Sequence, residues 1–338
     1  MSLKLAHVLH ARQFEREWLM QLMARSKEMD EMIRSVSRSA DEQRHDLAQR
    51  FGCCGIGITF FEDSTRTLTS FQTAAQNLGV RVVFVHPNIT RMSSMTTKRE
   101  SGLDTVRVLM GNLQPYQNSA YVIRHPKEGF SLKVASTATV PIINGGDGTD
   151  QHPSQALLDF FTILQRFGSV DGLRIAMVGD LRFGRTIKSL SYLLGKVGGA
   201  KKIYFVAPPE RQIPEGIEEY LDRHGMNHSR VNDLHKVARR CDVIYLTRIQ
   251  RERPGSPPID LNLVRQKFSM NRSVIELLKP DMIIMHPLPR DEHVRELPKY
   301  CDKLSQAWYF RQADFGVPVR MALLEQVLLG NVPKMPKN

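Results

Sequence analysis

Short runs of apolar and β-branched residues alternate along the chain with longer stretches whose apolar positions recur at helical spacing. The short runs predict strands at Ile56–Glu62, Arg81–Val85, Ala120–Arg124, Pro141–Asn144, Arg174–Gly179, Lys202–Ala207, Asp242–Thr247 and Met282–Met285. The longer stretches predict helices at Thr65–Leu78, Pro153–Phe167, Thr186–Val197, Ile217–His224, Asp233–Arg240, Leu261–Phe268 and Pro318–Leu329. This alternation indicates an α/β fold with parallel sheets flanked by helices.

Turn-forming residues interrupt the pattern at Asn144–Gln151, and the next predicted helix has Pro153 in its first turn. We therefore predict two domains that meet at this point, with about four strands before it and four after it. The stretch Met1–Met20 mixes charged and apolar residues, which predicts an amphipathic helix rather than a signal peptide.

The chain has 338 residues, of which 41% are hydrophobic, and this is enough apolar material for two ordinary domains. No stretch approaches the ~20 consecutive apolar residues of a membrane span. Four cysteines, without Cys-x-x-Cys or His-Glu-x-x-His spacing, suggest neither a disulfide framework nor a metal site. We expect a reduced, cytoplasmic protein that uses no metal or cofactor and has no membrane partner.

The formal net charge of +12 leaves two interpretations open. Basic residues on a solvated surface attract small anions by long-range steering. Nucleic-acid binding would instead favour basic residues that cluster with aromatic ones or on one recognition helix. Lys and Arg are spread over the whole length, and only 7% of the residues are aromatic, so we do not expect nucleic acid as a partner.

The segment Phe60–Thr67 joins an apolar strand to the start of a helix and contains Ser64, Thr65, Arg66 and Thr67 in succession. At such a junction, free backbone N–H groups and the helix dipole favour an anion. The two residues Ser64 and Thr65 can cap the helix or donate hydroxyls, and the Arg66 guanidinium matches phosphate as a planar fork. A plain helix cap beside a solvated arginine explains any one of these residues but not the whole run.

Other polar residues occupy strand ends and a helix start. Arg124 ends a buried strand, at the carboxyl end where open sheets place their ligands. His152 and Gln155 are three residues apart at a helix start, so they face one side of its first turn. One can donate to the oxygen of a planar carbamoyl group while the other accepts from its NH₂ group. A solvent-directed charge and a helix cap are the alternatives for Arg124 and His152 taken singly.

The segment Met177–Thr186 runs from a strand through a loop into a helix. Its glycines, Gly179 and Gly184, do not complete the Gly-x-Gly-x-x-Gly pattern, so the signal for a dinucleotide is weak. The loop carries Arg182 and Arg185, which suit a carboxylate better than a pyrophosphate.

Two later predicted strands are also followed by residues that could bind a ligand. Arg248 and Gln250 follow one of them, and Met285–Arg290 follows the other with two prolines. Because proline lacks an N–H but keeps its carbonyl, this turn can present acceptors to an amide or ammonium group, although a stiff loop is the simpler interpretation.

Taken in order, the motifs Ser-Thr-Arg-Thr, Arg-His-Pro, His-Pro-x-Gln, Gly-Arg-Thr, Thr-Arg-x-Gln and His-Pro-Leu-Pro resemble the catalytic chain of the aspartate carbamoyltransferases over nearly the whole length. The resemblance implies an α/β fold of two domains, each a mostly parallel sheet flanked by helices. Residues 1–151 would bind carbamoyl phosphate, residues 152–312 would bind aspartate, and the C-terminal helix, within 313–338, would return to the first domain.

The resemblance also implies an activity and an assembly. The chain would transfer the carbamoyl group of carbamoyl phosphate to the amine of L-aspartate, a committed step of pyrimidine biosynthesis, without a cofactor. It would form a homotrimer whose subunits share active sites. A regulatory chain or other pathway enzymes are left open as partners.

Residue roles follow from the same resemblance. Phosphate would be held by Ser64, Thr65, Arg66 and Thr67 with Arg124 and with Ser94 of a neighbouring subunit, and the carbonyl would be polarised by Thr67, Arg124 and His152. The carbamoyl NH₂ group would be held by Gln155 and the carbonyls of Leu288 and Pro289. The aspartate carboxylates would be bound by Arg185, Arg248, Gln250 and the neighbouring subunit's Lys98, which lies in the polar loop Ser93–Glu100.

The chain departs from the family pattern at three places. Leu68 and Gln72 replace an ion pair at i,i+4 spacing, which indicates a structural change that keeps its own balance. Asp291-Glu292-His293 follows Arg290 where the family has Val-Asp-Glu, and Gly52-Cys53-Cys54-Gly55 precedes the first strand. The role of the loop after Arg290 is thereby left open.

Alternative functions are another acceptor, such as ornithine, a catalytically silent scaffold subunit, and a nicotinamide-binding protein. Ornithine enzymes usually carry His-Cys-Leu-Pro where this chain has His286–Pro289, and they need acidic groups for a second amine where Arg248 and Gln250 offer donors. A silent subunit is disfavoured because every position that can be matched holds a competent residue.

Overall fold

A computed structural model of the chain describes residues 5–85, 102–251, 253 and 255–335. The chain forms two compact units: residues 1–157 with 315–338, and residues 158–314. The division lies inside a helix, a few residues after the predicted boundary at 151/152, because the first turn of that helix groups with the first unit.

Each unit contains one parallel sheet. In chain order the strands are β1 Gly55–Phe60, β2 Arg81–Val85, β3 Ser119–His125, β4 Ile142–Asp147, β5 Arg174–Val178, β6 Lys202–Val206, β7 His228–Val231, β8 Val243–Leu246 and β9 Ile283–Met285. The first sheet has the order β2-β1-β3-β4 and the second the order β7-β6-β5-β8-β9, and all pairings are parallel. The predicted fold class is confirmed.

The helices lie between and around these strands. They are α1 Arg16–Arg34, α2 Arg38–Phe51, α3 Thr65–Asn77, α4 Gly102–Gly111, α5 Phe130–Ala135, α6 Pro153–Phe167, α7 Arg185–Val197, α8 Glu215–Arg223, α9 Leu261–Lys267, α10 Arg272–Ile275, α11 Tyr309–Asp314 and α12 Gly316–Leu328. In the part of the chain that is described, no helix combines the length and the apolar character needed to cross a membrane.

The last helix, α12, returns to the first unit, as predicted, and packs against α1 and α3. Its Leu323 and Leu324 are fully buried, and burial of such a side chain stabilises a fold by about 1.5–3 kcal/mol. On α1, the Arg25 guanidinium binds both carboxylate oxygens of Glu325, with Nε–Oε2 and Nη2–Oε1 distances of 2.7 and 3.1 Å. The ion pair therefore orients a helix that apolar packing holds in place.

The core of the second unit explains why its strands appear in the sequence as continuous apolar runs. β5, β6 and β8 lie inside the sheet, and Ala176, Val178, Val206, Ile244 and Leu246 are fully buried among side chains of the flanking segments. A parallel strand covered on both faces leaves no position for a solvated residue.

The glycine-rich stretch at 144–148 is not a turn throughout, and the sequence-based prediction there was wrong. Asn144, Gly145 and Gly146 belong to strand β4, and the turn begins only at Gly148. A Cβ on Gly145 would lie 3.2 Å from the ring of Phe60, so the small residue lets two strand ends pack closely. The Asn144 side chain donates to the carbonyl of Leu9 at 3.0 Å, which satisfies a polar group inside the sheet.

Three further predictions need correction. The N-terminal stretch is extended where Val8 pairs with Ile143, and the first α-helix begins only at Arg16. The stretch predicted as the helix Asp233–Arg240 forms two 3₁₀ turns that are broken at Val237. Strand β7 was not predicted because it lies at the sheet edge, where His228, Ser229 and Arg230 stay partly solvated.

The buried carboxyl of Asp147, at the end of β4, makes stability depend on pH. Its Oδ2 accepts a hydrogen bond from the Ser131 N–H at 3.3 Å, but burial raises its pKa from 3.8 to about 6. The folded chain therefore binds this proton more tightly than the unfolded chain. The stabilising contribution is complete below the unfolded pKa and is lost as the pH rises through the folded value.

We predict that Asp147→Asn removes this loss. Between about pH 4 and pH 7, the free energy of unfolding of the wild type should fall by about 2–3 kcal/mol more than that of the variant. Urea unfolding at a series of pH values measures the difference. Asp46→Asn, an exposed position on α2, is the control and should follow the wild type. Parallel pH profiles for Asp147→Asn and the wild type would contradict this account.

Candidate active site

Both sheets place loops at a point where the crossover direction reverses. In the first sheet, the connection after β1 leads outward to β2, whereas β3 lies on the other side of β1. In the second, β6 and β8 flank β5 in the same way. Loops diverge at such a point and leave a crevice at the carboxyl ends of the strands, where open α/β sheets bind ligands. The predicted site residues that the structure describes form one set in each unit. In the first unit they lie at or after the carboxyl ends of β1, β3 and β4, and in the second unit they follow β5, β8 and β9.

In the first unit, the start of helix α3 offers backbone donors. The first intrahelical hydrogen bond is donated by the Leu68 N–H to the carbonyl of Ser64 at 3.1 Å, so the N–H groups of Thr65, Arg66 and Thr67 have no intrahelical acceptor. Ser64 holds the N-cap position, but its side chain makes no capping hydrogen bond, contrary to one of the roles we expected. Three N–H groups and the helix dipole thus favour an anion here.

Thr67 and His152 come together although 85 residues separate them. The Thr67 Oγ1 and His152 Nε2 atoms lie 3.4 Å apart, at the long end of hydrogen-bonding distance, and both residues are buried. His152 directly precedes α6, and its carbonyl accepts the N–H of Gln155 at 3.0 Å. Gln155 is also buried, so the start of α6 and the residue before it place an amide and an imidazole out of bulk water.

Arg124 lies in the same set, since it pairs in register with Phe60 at the ends of β3 and β1. Its Nη1 donates to the carbonyl of Gly145 at 3.3 Å, and its Nη2 lies 3.2 Å from the Glu62 carboxylate. Because this guanidinium is buried, it needs a negative partner. Glu62 supplies that partner, and an anion bound at the start of α3 would compete with it. The sequence-based prediction missed this role of Glu62, although it quoted the residue.

In the second unit, the buried carboxylate of Asp180 connects the loops after β5 and β8. Its Oδ1 accepts the N–H of Phe183 at 3.0 Å, and its Oδ2 accepts the N–H of Gln250 at 3.1 Å. Arg211 Nη1 lies 3.3 Å from Oδ2, and both side chains are fully buried. Burial raises the pKa of Asp180, and the two N–H groups and the Arg211 guanidinium oppose this rise.

Arg211 extends the connection to two more segments. Its carbonyl accepts the N–H groups of Leu181 and Arg182, both at 3.0 Å, and its Nη2 donates to the carbonyl of Pro257. Neither Asp180 nor Arg211 was predicted as a site residue. Asp180 lies inside the quoted motif Met177–Thr186, but Arg211 follows a different strand and no local pattern connects it to the site.

Close backbone approach explains the glycine of this loop. Gly179 has a φ of 116°, and a Cβ on it would lie 2.3 Å from the carbonyl oxygen of Thr247. The Thr247 hydroxyl in turn accepts the N–H of Asp180 at 3.1 Å. The loops after β5 and β8 are thus fixed to each other at their first residues.

Three of the four residues predicted to bind carboxylates follow these same strands, and the fourth, Lys98, lies outside the described residues. Arg185 is the first residue of α7 and is buried, and Arg248 comes directly after Thr247 and is half-buried. The Gln250 amide donates to the carbonyl of Phe183 at 2.8 Å and accepts from Arg253 Nε at 2.9 Å. One Gln250 N–H serves the loop, and a primary amide has a second N–H for a ligand.

The turn after β9 is oriented by His286. Its Nδ1 accepts the N–H of Leu288 at 2.8 Å, which leaves Nε2 to carry the proton toward Glu296 Oε1 at 3.2 Å. Leu288 has a φ of 52°, an unusual conformation for a branched residue, and the Leu288–Pro289 peptide is cis. A buried imidazole therefore holds the backbone carbonyls of this turn in one arrangement.

Two of the departures from the family pattern have a structural explanation. Asp291 closes the loop after Arg290, because its Oδ1 accepts the N–H groups of His293 and Val294 at 2.8 and 3.1 Å. Cys54 is buried in the core beside β1, Cys53 is exposed, and both are free thiols. Leu68 and Gln72 are both half-buried on α3, and nothing in the structure explains the exchange. Ser94 and Lys98 lie outside the described residues.

We predict that Arg211→Met destabilises the second unit by about 3–5 kcal/mol, because it leaves the Asp180 carboxylate buried without its cation. Urea unfolding followed by circular dichroism measures the change. Arg182→Met, in the exposed part of the same loop, is the matched control and should stay within about 0.5 kcal/mol of the wild type. Equal effects of the two substitutions would mean that the buried pair does not hold these loops.

The chain matches two family models. Residues 6–165 match the aspartate/ornithine carbamoyltransferase carbamoyl-P binding domain, and residues 171–327 match the Asp/Orn binding domain of the same family. The chloroplastic aspartate carbamoyltransferase of Oryza sativa subsp. japonica is 40% identical over 97% of this chain and 86% of its own length.

Two solved structures are similar over almost their whole length. The catalytic subunit of M. jannaschii aspartate transcarbamoylase has a TM-score of 0.81 and 35% identity, over 96% of this chain and 99% of its own. The Trypanosoma cruzi aspartate transcarbamoylase in complex with carbamoyl phosphate and aspartate has a TM-score of 0.76 and 32% identity, over 98% and 97%. The chain therefore belongs to the aspartate/ornithine carbamoyltransferase family.

Proposed function

We propose that this chain transfers the carbamoyl group of carbamoyl phosphate to the amine of L-aspartate, giving N-carbamoyl-L-aspartate and phosphate. The observation that carries the proposal is the set of donors in the first unit, where the N–H groups at the start of α3 have no intrahelical acceptor and Thr67 lies beside His152. The full-length similarity to aspartate carbamoyltransferases supports the same activity.

The phosphate group of carbamoyl phosphate binds at the start of α3. Ser64, Thr65, Arg66 and Thr67 supply hydroxyls, backbone N–H groups and a guanidinium, and Arg124 adds a second guanidinium once Glu62 releases it. Such charge-assisted bonds are about twice as strong as neutral ones. Arg66 is exposed in the described structure, so the anion itself supplies the partner that orders its side chain.

The carbamoyl group is held by its two polar ends. Thr67, Arg124 and His152 face the carbonyl oxygen, where donors stabilise developing negative charge. Gln155 and the carbonyls of Leu288 and Pro289 accept from the NH₂ group. The second unit binds the aspartate carboxylates through Arg185, Arg248 and Gln250, whose loops are fixed by Asp180.

The reaction needs no covalent intermediate. The deprotonated amine of aspartate attacks the carbamoyl carbon, and the carbonyl oxygen becomes an oxyanion that Thr67, Arg124 and His152 stabilise. The C–N bond forms, the C–O bond to phosphate breaks, and the departing phosphate takes the proton that the amine loses. Positioning of two reactants and stabilisation of charge supply the rate enhancement.

The assembly and location of the chain belong to the same proposal. A homotrimer with shared active sites would place Ser94 and Lys98 of one subunit in the site of the next, where a lysine can bind both phosphate and a carboxylate. The product places the chain in pyrimidine biosynthesis. A cytoplasmic location stays a prediction, because the relatives include a chloroplastic enzyme.

We predict that aspartate supports turnover and that ornithine does not. Two guanidinium groups, on Arg185 and Arg248, match a second carboxylate and repel a second ammonium group, so the rates should differ by at least about a thousandfold. Phosphate release from carbamoyl phosphate, assayed with a panel of amino acids, measures the preference. Comparable rates with ornithine would overturn the choice of acceptor, and no acceptor-dependent release at all would identify a silent subunit.

The shared site has a separate test with two variants. Arg66→Ala and Lys98→Ala should each lower activity at least about a hundredfold, because each removes a charge from the same site. After mild dissociation and mixing in equal amounts, about a quarter of the sites in a trimer would combine an intact Arg66 from one chain with an intact Lys98 from its neighbour. Activity should recover accordingly. If each site came from a single chain, mixing would restore nothing.

A further inference from the structure

A recess of ≈ 520 Å³ lies where the strands of the second sheet begin, which we call the amino edge of the sheet. The candidate site lies at the other ends of these strands. Six cationic residues line this amino-edge recess: Arg174, Lys201, Lys202, Arg239, Arg240 and Lys279. They come from four segments: the first residue of β5, the first residue of β6 with the residue before it, the second of two 3₁₀ turns, and the segment before β9. They are far apart in the sequence, so their concentration in one place is a property of the fold.

The register of the sheet brings these charges together. Arg174 and Lys202 are paired residues on neighbouring strands, β5 and β6. Lys279 donates to the carbonyl of Arg240 at 3.0 Å and to the Asp242 carboxylate at 2.6 Å. These bonds connect the segment before β9 to the segment before β8. Every parallel strand in this sheet begins at the same edge, so cations at strand starts converge there.

Few carboxylates offset this charge. Several arginines elsewhere in the described chain have acidic partners, such as Glu325 for Arg25 and Asp302 for Arg290. Of the six cations, Lys279 has an ion pair among the described residues, with Asp242. Like charges repel one another, by about 1 kcal/mol for two unit charges 4 Å apart in water, and this repulsion opposes folding. A polyanion would remove that cost.

The charged groups that line the recess indicate which kind of anion it favours. Three guanidinium groups form planar forks for phosphate oxygens, and three ammonium groups add point charges. A nucleic-acid strand needs a stripe of charge along its backbone, whereas these six converge on one recess. The Tyr204 ring is buried and has the Lys202 ammonium 5.5 Å from its centroid, so it offers no open face to a base.

We propose that the amino-edge recess is a second anion-binding site, for a small ion that carries several phosphate groups in a chain. Inorganic tripolyphosphate and the triphosphate of a nucleotide share this chemistry, and the phosphate chain is the part that is recognised. The site is separate from the candidate active site, because it lies at the opposite ends of the same strands.

Calorimetric titration with sodium tripolyphosphate tests the proposal in three proteins. All carry Arg66→Ala, which weakens the anion site at α3. One has no other change, one adds Arg239→Ala and Arg240→Ala, and the third adds Arg223→Ala and Lys303→Ala. The last pair is exposed on the same unit outside the recess and removes the same charge, so it is the matched control.

The parent and the control should bind one tripolyphosphate per chain, and the recess variant should bind it at least about tenfold more weakly. Adenosine triphosphate should bind about as tightly as tripolyphosphate, and orthophosphate much more weakly. No saturable binding to the parent would overturn the proposal, as would equal weakening by the two double substitutions. Binding of the nucleotide far tighter than that of tripolyphosphate would show that the phosphate chain is not what the recess recognises.

Discussion

The reversal of crossover direction after β1 and after β5 is the constraint on which the candidate site depends. Because crossovers are right-handed, connections to strands on opposite sides of a given strand run over opposite faces of the sheet. The two loops therefore diverge at the carboxyl ends of the strands. The space that results is lined by whatever residues end the strands and begin the following helices. In this chain those residues carry hydroxyl, guanidinium, imidazole and amide groups, a chemistry that favours anions.

Loops at strand ends have lost the hydrogen bonds of the sheet, so other groups must hold them. Asp180 does this in the second unit, by accepting N–H groups from the loops after β5 and β8. His286 does the same after β9, with one ring nitrogen accepting from the backbone and the other donating to Glu296. Hydrogen-bonded polar groups in a low-dielectric interior are rigid, so these side chains fix the loops that carry the proposed ligand-binding groups.

Local sequence patterns were sufficient to predict strands and site residues where an apolar strand is followed by a polar helix start. That is why β1, β3, β5 and β8, and the residues directly after them, were recognisable in the sequence. Strand β7 was not predicted because an edge strand keeps polar residues. Asn144–Gly146 were mistaken for a turn because close packing selects the same small residues as a turn does.

Contacts between distant segments were not predictable from local pattern. Arg211 reaches Asp180 from the loop after β6, and Glu62 neutralises Arg124 across two strands. Only the folded register places such partners side by side. In the sequence, Arg239, Arg240 and Lys279 likewise appear as scattered surface charges. Only the folded sheet brings them to one recess.

The position of α12 also determines the order in which the chain can fold during synthesis. Residues 158–314 form one uninterrupted unit, whereas the unit that contains the N-terminus needs α12 to cover α1 and α3. During synthesis, α1 and α3 are therefore translated well before α12, the helix that covers them. All residues of the second unit are translated before α12, so we expect the second unit to complete its core before the first unit does.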